Sequence, residues 1–273
     1  MFFVHIIKRK RLRAVLMCIL ICAASSVFTS SASPLQKIPV LVYHSVLFDD
    51  EIANKKAGTY IIAVDAFEQQ MKYLSDNNYH ALTPNDLIDF IYNDKNLPSN
   101  SVFIQFDDGY YNNITHAYPI LKKYCLRATI FDISNTAVPS QAPLHPDGIS
   151  FISKDDMQAT TDVFTFASHT HDLHGYEGEN TRFSLASRNE ILDDLRKSFE
   201  IVGNHTVFAY PYGQFNEGTT KALMEAGVRL AFTVNPGYVT RGSDPYNLSR
   251  FTVYNNTSFS LFESFVKGEV KYR

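Results

Sequence analysis

The chain has 273 residues, 45% of them apolar and 19% charged, with 12 Gly and 11 Pro. That composition excludes collagen-like, coiled-coil and disordered chains and leaves a globular protein of one or two domains. Lys and Arg number 25 against 28 Asp and Glu, but Lys8, Arg9, Lys10, Arg11 and Arg13 crowd the amino terminus; the remainder holds 20 basic against 28 acidic residues, a net of −8. So acidic a body is ill suited to neutralising phosphates, and nucleic acid is excluded as a partner.

Behind the basic head lies the mostly apolar stretch Ala14 to Phe28, then Thr29-Ser30-Ser31-Ala32. These are the three parts of a secretory signal. Residues 1–32 are therefore expected to be a signal peptide cleaved after Ala32, with residues 33–273 forming one exported domain, secreted or held at the cell surface. The competing reading, an uncleaved membrane anchor, needs an apolar run of ~20 residues, longer than this one. Cys18 and Cys22 fall inside the apolar stretch, and neither follows a small residue as a lipid-modified cysteine would. Cys125 is left alone, so no internal disulfide is expected, and it reads as a buried structural residue.

Along the rest of the chain, runs rich in β-branched and aromatic residues predict buried strands at Ile38–Tyr43, Val102–Phe106, Ala128–Ile133, Val163–Ala167, Val207–Tyr210, Leu230–Val234 and Arg250–Tyr254. Helical patterns fall between them, at Ala66–Asn77, Asn85–Tyr92, Ile114–Tyr124, Leu185–Val202 and Thr219–Ala226, with Thr83-Pro84 and Gly227 as start and stop signals. Strand and helix alternate, which predicts a parallel sheet with crossover helices, an α/β fold in a single domain. Ser134–Ile149, with three prolines, and His174–Arg182 read as surface loops that could border a site.

Four polar motifs sit where predicted strands end. Phe106-Asp107-Asp108-Gly109 places adjacent carboxylates after a buried strand. Asp-Asp-Gly alone is ordinary turn chemistry, but carboxylates at a buried strand end need partners, and a metal ion can separate their roles, one ligating while the other acts as a base. Ser168-His169-Thr170-His171-Asp172-Leu173-His174 brings three histidines within six residues. Two imidazoles and a carboxylate leave an open coordination position, as catalytic zinc sites do, although spacing does not choose which two histidines ligate. Tyr210-Pro211-Tyr212-Gly213 and Tyr43-His44 complete the set. Singly these read as aromatic wall and core histidine; together they lie at the carboxyl ends of parallel strands, where α/β proteins bind ligands.

The order of these motifs resembles the polysaccharide deacetylase family, carbohydrate esterase family 4 or the NodB-homology family, over most of residues 36–255. Val40-Leu41-Val42-Tyr43-His44, Ala117-Tyr118-Pro119-Ile120-Leu121-Lys122-Lys123-Tyr124 and the histidine segment are most similar to the bacterial poly-β-1,6-N-acetyl-D-glucosamine N-deacetylases. The resemblance implies a single distorted, incomplete (β/α) barrel of about seven parallel strands. It also implies a divalent cofactor, Zn2+, held by Asp108, His169 and His174, with His171 a neighbour. Asp107 would be the general base and His44, supplied from near the amino terminus as in a circular permutation, the general acid. The backbone N–H of Tyr212 would face the oxyanion. The substrate so implied is an N-acetylglucosamine polysaccharide, the β-1,6 polymer of biofilm matrix first; a β-1,4 polymer such as peptidoglycan or chitin, or an inactive glycan-binding surface protein, are the alternatives.

Two features depart from the wider family. No Arg precedes Pro211-Tyr212, where many members carry one that orients the base, and the chain has no tryptophan. Both weaken the β-1,4 readings, and the sequence leaves open which group orients Asp107.

Overall fold

Side-chain alternation along the strand Ser101–Asp108 organises the molecule. Val102, Ile104 and Phe106 pack into one apolar layer with helix residues such as Phe67, Leu121 and Phe262. Phe103 belongs to a second layer with Ile38, Val40, Phe131 and Phe232. Successive side chains point to opposite faces of a strand, so Phe103, Gln105 and Asp107 share the inner face. The computed structural model describes residues 36–54, 60–137 and 150–271; the expected signal peptide and residues 138–149 of the expected loop lie outside them.

The main sheet runs in the order 230–232, 207–209, 164–168, 128–132, 101–108, 38–43, 238–239, and Phe251–Thr252 also pairs with Ile38–Tyr43. Seven of these strands are parallel and only Tyr238–Val239 is antiparallel. The sheet curls into a half-barrel, with Phe232 reaching both Phe103 and Phe131 across its interior (ring centroids 5.7 and 5.6 Å). Helices Val64–Asp76, Tyr118–Lys123 and Phe259–Val266 cover the outer face, burying Phe67, Met71, Leu121 and Phe262 completely. No helix among the described residues is long and apolar enough to cross a membrane.

Several local expectations are corrected. The helix expected over 185–202 is two: Arg182–Leu185, then Arg188–Val202, because Ala186 and Ser187 are extended and Ser187 with Glu190 forms a capping box. The helix expected over 114–124 opens as a π-helical turn, Asn113–Ala117, before Tyr118–Lys123. Pro119 at its start lacks the N–H that an α-helix would use there. The segment 174–182 contains a small hairpin, Tyr176–Glu177 with Asn180–Thr181. Cys125 is exposed, not buried: it adopts φ 55 at the end of Tyr118–Lys123 and turns its side chain outward.

Candidate active site

Strand register brings the four motifs to one rim. Tyr43 pairs with Phe106, so His44 follows beside Asp107; Asp108 pairs with Asp132, and Asp132 with Ser168, so His169 comes next. Phe208 pairs with Ser168, which carries Tyr210 and Tyr212 to the same end. A cavity of about 610 Å3 opens there, lined by His44, Asp107, Asp108, His169, His174 and Tyr212 among others.

Asp107 is 3% exposed and points into the half-barrel, where Arg250 meets it with both arms. Nη1 donates to Oδ1 and Nη2 to Oδ2, each at 2.8 Å; Nη1 also donates to Gln105 Oε1 (3.1 Å) and Nε to the Thr233 carbonyl (2.7 Å). Burial by itself would raise the Asp107 pKa. The guanidinium of Arg250 foremost, then His169 and His44, outweigh it and hold the carboxyl at about 2. Arg250 is the functional residue that sequence reading missed, although it heads a predicted strand. An arginine at the start of an apolar run is itself a signal, since a buried guanidinium requires a carboxylate partner.

Asp108 (φ 74) and Gly109 (φ 75) then take the chain off the sheet in left-handed conformation. Only glycine fits at 109: a Cβ there would lie 1.9 Å from Asp132 Oδ1. Asp132 is fully buried, with no hydrogen-bond partner for its carboxyl among the described residues, and burial first, with the Asp108 charge second, lifts its pKa well above the usual carboxylate range.

His169 donates Nδ1–H to the Ala209 carbonyl at 2.8 Å, which leaves the Nε2 lone pair free 3.6 Å from Asp108 Oδ1. His174 Nε2 lies 3.4 Å from the same oxygen. Burial lowers both imidazoles to a pKa of about 4 and so keeps them neutral. One donor atom from each of Asp108, His169 and His174 lies within 4.8 Å of the others. Two neutral imidazoles and one carboxylate converging in this way fit a divalent cation with open positions. His171 stands outside the group, its Nδ1 3.1 Å from Ser134 Oγ.

Tyr212 (φ 52) and Gly213 (φ 72) form a tight turn that Val234 closes; a Cβ on Gly213 would lie 2.7 Å from the Val234 nitrogen. The Tyr212 ring packs on His174 (4.8 Å) and Tyr176 (4.2 Å). On the other wall His44 packs on Tyr60 (4.7 Å) and Tyr60 on Tyr254 (5.6 Å). Tyr210, near the site in sequence, is instead a core residue stacked on Phe215. Tyr60 and Tyr254 gave no sequence signal because each is remote from the motifs it joins.

A half-barrel with this rim is the architecture of sugar deacetylases. The solved deacetylase PplD from Streptococcus pyogenes, 24% identical, matches it with a TM-score of 0.72 over 85% of this chain and 99% of that one, which shows the shared fold. IcaB from Ammonifex degensii, 26% identical, matches with a TM-score of 0.71 over 85% and 97% of the two chains. The poly-β-1,6-N-acetyl-D-glucosamine N-deacetylase of Staphylococcus epidermidis is 30% identical over 243 residues, 83% of this chain and 81% of that protein. The sequence profile of the family described as Polysaccharide deacetylase matches residues 94–231. The chain belongs to the polysaccharide deacetylase family and is an enzyme of that class.

Proposed function

We propose that the protein removes N-acetyl groups from poly-β-1,6-N-acetyl-D-glucosamine outside the cell, with zinc held by Asp108, His169 and His174. One observation carries the chemistry: Asp107, held ionised by Arg250, shares a cavity with that donor set and with His44. The cation would supply Lewis acidity to the acetyl carbonyl and to the attacking water. Asp107, its two oxygens fixed by Arg250, takes the proton from that water as the carbonyl carbon is attacked. The oxyanion meets the backbone N–H of Tyr212, in a turn that Gly213 and Val234 hold rigid. His44 gives a proton to the departing glucosamine nitrogen, and the acetate and free amine separate.

The β-1,6 assignment rests on the named S. epidermidis relative and on the placement of the acid directly after the first strand of the sheet. The tyrosine pairs on the two cavity walls offer flat apolar faces to pyranose rings. The export reading rests on the amino-terminal sequence pattern.

The test is free-amine release from matched β-1,6 and β-1,4 N-acetylglucosamine oligomers, with zinc supplied and then chelated. Chelator-sensitive release favouring β-1,6 is expected. A β-1,4 preference would replace the substrate, and release unaffected by chelation in protein shown to be metal-free would remove the cation from the reaction.

A further inference from the structure

The two histidines of the donor set are separated by four residues of irregular chain, and something must hold that chain still. His169 is fixed through its ring to Ala209 and through its N–H to the Asp132 carbonyl (2.9 Å). Beyond it, Thr170 takes φ 80, an uncommon conformation for a β-branched residue, so the loop does not keep this course by local preference. The loop carbonyls face one set of partners: Thr170 O accepts from the Ser134 N–H (3.1 Å), His171 O from the Asn135 N–H (3.2 Å) and Asp172 O from Arg182 Nη1 (3.0 Å). Its N–H groups face another. The His171 and Asp172 N–H groups converge on a single side chain, donating to Asp194 Oδ2 and Oδ1, each at 2.7 Å.

Asp194 lies on the helix Arg188–Val202, is 6% exposed, and has no ion pair with a basic side chain among the described residues. A buried carboxylate gripping two successive backbone N–H groups makes two charge-assisted bonds and fixes the peptide plane between them. We propose that Asp194 is a positioning residue for the cation site, its carboxylate setting the 171–172 backbone so that His174 is delivered opposite His169. The helix behind the sheet thereby sets the distance between two side chains that it does not touch. The inference rests on the reading of Asp108, His169 and His174 as cation ligands.

The test is Zn2+ affinity of the full chain, by competition with a chelating dye, for the parent, Asp194→Asn and Asp194→Ala. Asp194→Asn keeps the shape but turns an amide N–H2 toward a backbone N–H. A loss of zinc affinity of about 10-fold or more in folded variant protein is expected, as for other residues that orient ligands from behind. Loss of thermal stability with zinc affinity within twofold of the parent would reduce Asp194 to a structural residue and overturn the proposal. Amide hydrogen exchange of the zinc-free parent tests it without any variant: His171 and Asp172 should be protected, and free exchange at both would refute it even if the variants fail to fold. A parent that binds no zinc at all would instead bring down the ligand assignment.

Discussion

Replacing Arg250 with methionine keeps a long side chain in the half-barrel and removes the counter-charge of Asp107. Both residues are buried, so the variant leaves a carboxylate stranded in the interior, a change that costs about 3–5 kcal/mol where one partner of a buried pair is removed. The Asp107 pKa gives an independent figure. Holding it at about 2, against 3.8 for an ordinary aspartate, corresponds to roughly 2–3 kcal/mol in favour of the folded state. Because the folded pKa is the depressed one, that contribution is fully present above pH 4 and disappears as pH falls toward 2. Urea unfolding of chelator-treated protein should show Arg250→Met less stable than the parent by about 3 kcal/mol at pH 7, with the gap narrowing as pH falls, first as the unpaired Asp107 of the variant takes up its proton and then as that of the parent does below pH 4. Turnover should fall by about 100-fold or more, since the proposed base loses both its charge state and its orientation. A stability difference under 1 kcal/mol that does not change with pH would refute the pairing as the reason Asp107 is ionised.

Asp107→Asn should bind zinc as the parent does and lose turnover by about 10²–10⁴-fold, read as stoichiometric metal content beside amine release. Asp108→Ala or His169→Ala should lose the bound zinc itself, and full retention would remove that residue from the donor set. His44→Ala should lower kcat with metal content unchanged; unaltered kinetics on an N-acetyl oligomer would exclude it as the acid. Gly109→Ala should cost at least ~2 kcal/mol through its positive φ and the collision with Asp132, whereas Gly178→Ala, also at positive φ but with nothing within 4 Å, should cost about 1 kcal/mol; equal melting temperatures would disprove the close-approach argument.

The sheet strands were legible because each is a short run of apolar, β-branched and aromatic residues buried on both faces. Ser45–Leu47, Ile61–Ala63, His80–Ala81 and Tyr238–Val239 were not predicted: each is only two or three residues long, too short a run to stand out even where it is apolar, as Ile61–Ala63 is, and each pairs with a neighbouring strand. The last helix, Phe259–Val266, was also missed. Sequence reading leaves that segment unassigned although Phe259, Phe262 and Phe265 recur at helical spacing after Ser258, which caps the Leu261 N–H, and Phe265 stacks on Phe251 (4.4 Å). In the site, His44, Asp107, Asp108, His169, His174 and Tyr212 reach the same rim, because parallel strands carry their carboxyl ends to one side, while Tyr210 stays in the core and His171 turns to Ser134. Arg250 left one mark, an arginine at the head of an apolar run, that was not followed to its carboxylate partner, whereas Asp194 was silent because it acts through backbone N–H groups that leave no mark on sequence.

The strand Ile38–Tyr43 lies between Ser101–Asp108 and Phe251–Thr252, pairing Leu41 with Phe251 and Val42 with Thr252 about two hundred residues further along the chain. His44, Asp107 and Arg250 thus come from the opening, middle and closing portions of the polypeptide. A nascent chain can lay down the central strands and even gather Asp108 with the histidines, yet Asp107 stays without its guanidinium until the final strand arrives. Closing so long a loop is entropically slow. Chemical competence is consequently deferred until residue 250 has been made, and a product cut short before it would carry both carboxylates without the guanidinium that keeps Asp107 charged.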